Sequence, residues 1–123
     1  MRLYGRVDKS WGYEDIFVSN DKYCAKYLVF DKAGNKTSMH FHKDKHETWT
    51  VIQGSFLVRY IHTDVAEAKE RILTPGTVND RPLHRIFPID PLMPHQLEAL
   101  EDNSIILEIS TADSVEDNYR LYR

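Results

Sequence analysis

Three histidines and a glutamate fall within eight residues of this chain: His40, His42, His46 and Glu47, inside the stretch GNKTSMHFHKDKHETWTVIQG that spans residues 34–54. Alternate residues on a strand share a face, so His40 and His42 can hold one ion together. The short KDKH loop then returns the chain, and Glu47 opens the next strand, where it can face the pair across a hairpin. Two imidazoles and a carboxylate suit a divalent first-row metal. His46 sits next to Glu47 and points to the opposite face of a regular strand, so it is left out of the ligand set. Gly34 and Gly54 bracket the unit where strands must turn.

Such ligands need strands to carry them. Residues 13–18, 23–31, 47–53, 56–62 and 104–110 are rich in aromatic and β-branched side chains and are expected to be strands. Ser19-Asn20-Asp21-Lys22 is the polar turn between the first two. Glu47, Trp49 and Val51 share one face, which gives Trp49 a core-packing role beneath the ligand. Residues 64–71 fit either a short charged helix or a hairpin tip, followed by the turn Thr74-Pro75-Gly76. Pro88, Pro91 and Pro94 make the approach to His95 irregular, because central strands reject proline. His62 and His84 have no partner in sequence and are taken as structural or exposed.

The spacing Gly34, five residues, His40-x-His42, four residues, Glu47, six residues, Gly54 is that of the first signature motif of the cupin superfamily. The chain resembles that family over residues 9–123. The resemblance implies an all-β fold, the cupin double-stranded β-helix or jelly-roll barrel, as one domain over residues 1–123. It also implies a second motif around residues 88–99 that supplies a third histidine, His95. Asp90 and Leu92 stand where that motif has Pro and Gly, and Ala99 where Asn is common, which puts the turn geometry in question. Pro94, His95, Leu97 and Glu98 remain. Lys9-Ser10-Trp11-Gly12 is similar to the Lys/Arg-Pro-Trp-Gly element of mannose-6-phosphate isomerase cupins, with Ser10 in place of proline. Glu116, Asp117 and Arg120, in the tail 111–123, resemble the ending of the same group.

The implied centre is one divalent ion on His40, His42, Glu47 and His95, with one or two positions left open. Zinc is favoured for an isomerase, which needs no redox step; manganese, iron or nickel also suit the ligands. The implied reaction interconverts an aldose and a ketose, as in mannose-6-phosphate isomerase. Lys9, Trp11 and Arg120 become candidates for binding the sugar or sugar phosphate, and Glu98 and Glu108 for the base. Two other functions use the same barrel: a non-catalytic sugar-binding or regulatory cupin, and an iron dioxygenase. A nucleotide-sugar epimerase fits less well, because that group often lacks the metal.

The rest of the composition narrows the class. A chain of 123 residues suits one domain with a modest core. A net charge of −3 gives no reason to expect a nucleic-acid partner. The lone Cys24 excludes an internal disulfide and fits a reducing compartment. No apolar run follows Met1 and none is long enough to span a bilayer, so neither a signal peptide nor a membrane partner is expected, and the location expected is cytoplasmic. Family analogy adds a homodimer.

Overall fold

The computed structural model describes residues 5–75, 85–112 and 116–122. The described residues form eleven strands and no helix: β1 (Gly5–Lys9), β2 (Gly12–Ser19), β3 (Tyr23–Phe30), β4 (Met39–Phe41), β5 (Glu47–Gln53), β6 (Phe56–His62), β7 (Glu67–Leu73), β8 (Ile86–Ile89), β9 (His95–Ala99), β10 (Ser104–Thr111) and β11 (Tyr119–Tyr122). One sheet has the order β1-β2-β3-β10-β5-β8 and the other β11-β4-β9-β6-β7. Sequence neighbours β4 and β5 lie in different sheets, and the pairings are antiparallel. This is the double-sheet jelly roll expected from the first motif.

Alternation decides what each strand sends inside. On β10, Ser104, Ile106, Glu108 and Ser110 are buried, while Ile105, Leu107 and Ile109 face outward. On β5 the inward set is Glu47, Trp49 and Val51. Phe30, Val51, Phe56, Val58, Leu97 and Ile106 fill one part of the barrel with apolar side chains that are wholly or almost wholly buried. Each such side chain contributes about 1.5–3 kcal/mol to stability. The polar members of the same inward faces collect elsewhere, as ligand and acid–base candidates.

Trp11 closes against this core, its ring stacked on Phe30 at 4.3 Å between centroids. Gly12 must follow it without a side chain. Its φ is +148°, and a Cβ there would meet the carbonyl oxygen of Val29 at 1.9 Å. The Trp-Gly pair is thus a plug joined to a close strand approach.

Several elements differ from the sequence expectation. Of the two expectations for residues 64–71, the helix is absent and the hairpin tip is what forms. β6 and β7 make a hairpin in continuous register from Phe56↔Leu73 to His62↔Glu67. The approach to His95 contains a strand, β8, with Pro88 opposite Thr48. Proline is tolerated there because β8 is the sheet edge, where one side of the strand needs no partner. β1 and β11 were not anticipated. His62 is exposed; His84 and Gly76 lie outside the described residues. No helix among the described residues is long and apolar enough to cross a membrane.

Leu92 shows what became of the degraded second motif. It stands where glycine is usual, and its φ is +69°. The turn therefore keeps its left-handed residue, with the Leu92 N–H donating to the His42 carbonyl at 2.6 Å. A Cβ in that region costs about 1–2 kcal/mol. Glycine removes that cost but loses more chain entropy on folding. Leu92 is half exposed, so little packing is at stake. Leu92→Gly is expected to raise stability by about 0.5–1 kcal/mol, measured by urea denaturation. Leu92→Ala, which keeps the strain, is expected to give no gain; equal behaviour of the two variants would rule the strain out.

Candidate metal centre

β4 and β9 place His40 directly opposite His95. His42 follows one residue beyond β4, and Glu47 is the first residue of β5 in the facing sheet. The ring centroids of His40 and His95 are 4.4 Å apart, those of His40 and His42 5.3 Å, and those of His42 and His95 5.8 Å. One ligand atom from each of the three lies within 4.8 Å of the others. His46 is exposed on the outside of the loop.

Hydrogen bonds fix the state of the rings. Each Nδ1 meets a backbone carbonyl: Ser38 at 3.0 Å for His40, Asp117 at 2.5 Å for His42 and Met93 at 2.8 Å for His95. A carbonyl only accepts, so each Nδ1 carries the proton and each Nε2 keeps its lone pair. Ligation through Nε2 requires that tautomer. Burial, opposed by the Ser38 bond, lowers the pKa of His40 to about 4. Burial and then His40 lower that of His95 to about 3. Both rings are neutral at pH 7, which is the ligating form.

Glu47 Oε2 lies 3.4 Å from Nε2 of His42 and 3.4 Å from Nε2 of His95. Glu47 Oε2 and His95 Nε2 are buried with no hydrogen-bond partner among the described residues. Two buried acceptors facing each other without a donor are costly. A divalent cation between them satisfies both, so the residues fit a metal. Burial, and then the neighbouring Glu108, push the Glu47 carboxyl well above its ordinary range. A bound cation reverses that by favouring the ionised form.

A second layer of charge adjoins the ligands. Glu108 Oε1 accepts from the Trp49 indole N–H at 3.1 Å. Its Oε2 lies 3.3 Å from Lys45 Nζ and 3.6 Å from Lys26 Nζ. Lys26 also meets Glu14 at 3.3 Å, and Lys45 meets Glu47 at 3.9 Å. Burial alone raises the Glu108 carboxyl, but Lys45 and Lys26, with hydrogen bonds from Glu47 and Trp49, outweigh it and hold it well below the usual range. Glu108 is therefore an ionised carboxylate beside the candidate metal.

The candidate ligands His40, His42 and Glu47 and the second layer open into one cavity of about 990 Å³, with His95 buried behind them. Lys9, Trp11 and Arg120 are on its wall. Glu98 is elsewhere. Strand alternation turns it to the face of β9 opposite His95, where it pairs with Arg59 at 2.9 Å. Of the two carboxylates considered for the base, only Glu108 is brought to the site. The sequence reading missed Lys26 and Lys45. A signal existed for each: Lys26 shares the buried face of β3 with Cys24, Leu28 and Phe30, and Lys45 is two residues before Glu47.

The chain has the cupin fold, with a three-histidine cluster and an adjacent glutamate able to hold a metal ion. Its sequence matches no family model and no curated protein. Solved structures resemble it at low identity. The capsular polysaccharide assembling protein CapF from Staphylococcus aureus superposes with a TM-score of 0.76 at 19% identity, over 100% of this chain and 33% of that one. KdgF from Halomonas sp. superposes with a TM-score of 0.72 at 20% identity, over 92% and 90%. Oxalate decarboxylase from Lactobacillus farciminis gives 0.76 at 14% identity, over 98% and 36%. The chain thus spans about a third of the CapF chains it matches.

Proposed function

We propose that this chain is a metal-dependent aldose–ketose isomerase acting on a small sugar or sugar phosphate, similar in kind to mannose-6-phosphate isomerase. One observation carries the proposal: a carboxylate, Glu108, is buried beside the histidine cluster in the same cavity, between two lysines. A divalent ion on His40, His42, Glu47 and His95 supplies a Lewis acid for a carbonyl oxygen, and zinc suits that role because no electron changes hands.

Glu108 Oε2 accepts the proton from the carbon beside the carbonyl and returns it to the carbonyl carbon, while the proton of the adjacent hydroxyl passes to the former carbonyl oxygen. The lysines that hold Glu108 ionised also reduce its basicity. An anionic oxygen arriving in the cavity competes for Lys45 Nζ and so raises the basicity of Glu108 when substrate is bound. Lys45 then donates to the oxygen on which negative charge develops. Lys9 and Arg120, exposed on the cavity wall, receive a phosphate, Arg120 through its bidentate fork and Lys9 as a point charge. The Trp11 indole lines the same wall and gives the sugar an apolar face.

The likeness to CapF, a capsular polysaccharide assembling protein, supports a carbohydrate ligand. A second function, a sugar-binding module without turnover, is favoured by a different fact: in CapF and oxalate decarboxylase this barrel is about a third of a longer chain. The experiment separates the two. Metal-loaded protein is incubated in deuterium oxide with mannose 6-phosphate and a panel of hexose and pentose phosphates and free sugars, and the recovered sugar is examined by NMR. The isomerase puts deuterium at C2 and forms ketose. Absence of both signals throughout the panel defeats it and leaves the binding module.

A further inference from the structure

The C-terminal segment makes contacts that neither the first nor the second motif accounts for. β11 pairs with β4 and places Arg120 opposite His40. Tyr119 stacks on Phe41 at 5.1 Å, nearly parallel. Immediately before β11, Asp117 grips the loop that follows His42 at three points. Its carboxylate accepts the backbone N–H of Lys43 at 2.6 Å through Oδ1 and that of Asp44 at 3.0 Å through Oδ2. Its own carbonyl accepts the His42 Nδ1–H. The residue thus holds both the imidazole and the backbone immediately beyond it. Glu116, Asn118 and Arg120 of the same segment stand on the cavity wall.

The Nδ1 partners of the other two candidate ligands are local. Ser38 is two residues before His40, and Met93 two residues before His95. His42 instead takes its Nδ1 partner from a group 75 positions away. That partner is supplied by the docked C-terminal segment. Partners of that kind fix the tautomer and aim of a ligating ring, and their loss costs about 10–100-fold in metal affinity.

We propose that Asp117 is the positioning residue of the metal centre, and that through it the segment 116–122 is a strap energetically coupled to the ion. The proposal rests on the metal site described above. Coupling is reciprocal: whatever factor the docked strap adds to metal affinity, the metal adds to strap docking. In the full-length wild-type protein, metal therefore protects the loop amides of Lys43 and Asp44.

The test uses zinc and cobalt(II) as probes on the full chain. Competition against a chromophoric chelator gives the affinity, and the visible spectrum of the cobalt form reports ligand geometry. Asp117→Ala is expected to weaken binding at least about 10-fold and change the cobalt spectrum. Asp117→Asn keeps the size and one accepting oxygen, is expected to fall between, and carries the test should the alanine variant not fold. Hydrogen exchange at Lys43 and Asp44 in the wild type is expected to slow about 10-fold on metal addition, by the same reciprocity. A purely structural role lowers the stability of metal-free and metal-bound forms alike and leaves affinity, spectrum and metal-dependent exchange untouched; that result overturns the strap. Should the wild type bind neither ion, the metal site fails and the strap with it. Should the wild type bind and Asp117→Ala bind equally well, only the strap fails.

Discussion

His42→Ala is expected to leave the protein without bound metal after dialysis. The substitution removes one of four candidate ligands, and the one that also meets Asp117 through its Nδ1. A bound ion is expected to stabilise the wild-type protein, because the candidate ligands come together only in the folded chain. That gain is RT ln(1 + [L]/Kd), about 2.7 kcal/mol at a hundredfold excess of metal over Kd. In the variant, added metal is expected to leave the unfolding midpoint unchanged. Metal content by elemental analysis and melting with and without metal together decide the matter. His46→Ala is the control, since His46 faces solvent, and it is expected to keep both the metal and the stabilisation. A full equivalent retained by His42→Ala would exclude His42 from the site.

Glu108→Gln is expected to keep the metal and lose turnover by about 10²–10⁴-fold, the range for removing a positioned proton acceptor. Glutamine keeps the length of the side chain and an oxygen for the Trp49 indole N–H, but no negative charge lies between Lys26 and Lys45 any longer. The cavity becomes more positive, so binding of an anionic sugar does not weaken and KM does not rise. Removing one partner of a buried charge network is itself destabilising, on the order of 3 kcal/mol. The assay is therefore run well below the variant's melting temperature, at saturating metal. Turnover within threefold of wild type would remove Glu108 from the reaction.

The half-site was legible because it is local. His40, His42 and Glu47 occupy a span short enough for strand alternation and one loop to determine their facing. The jelly roll was implied by the resemblance of that spacing, with its two glycines, to the cupin motif. His95 stood out less, since two of its motif's residues have changed, and the structure shows why the turn persists: Leu92 takes the left-handed conformation itself. Glu108 was ambiguous because an alternating strand has two faces, and only the pairing of β10 with β3 and β5 says which is inside. Lys26 and Lys45 were passed over because lysine is so rarely buried. Asp117 was visible as part of an acidic pair, but its contact with His42 is made by a backbone carbonyl, which leaves no side-chain signature. β11 was invisible for a related reason: its residues are exposed throughout, so no alternation marks it.

The ligands are divided between the two sheets. His40 and His95 stand on β4 and β9 of one layer, and Glu47 on β5 of the other. An ion there is a rivet through the sandwich, and the layers cannot slide or part without shearing it. β9 lies far along the chain from β4, so the three-histidine cluster exists only after the long-range pairing is complete. An interaction absent from the folding transition state acts on the way out rather than on the way in. An ion that binds after that pairing is therefore expected to slow unfolding and to leave the folding rate unchanged.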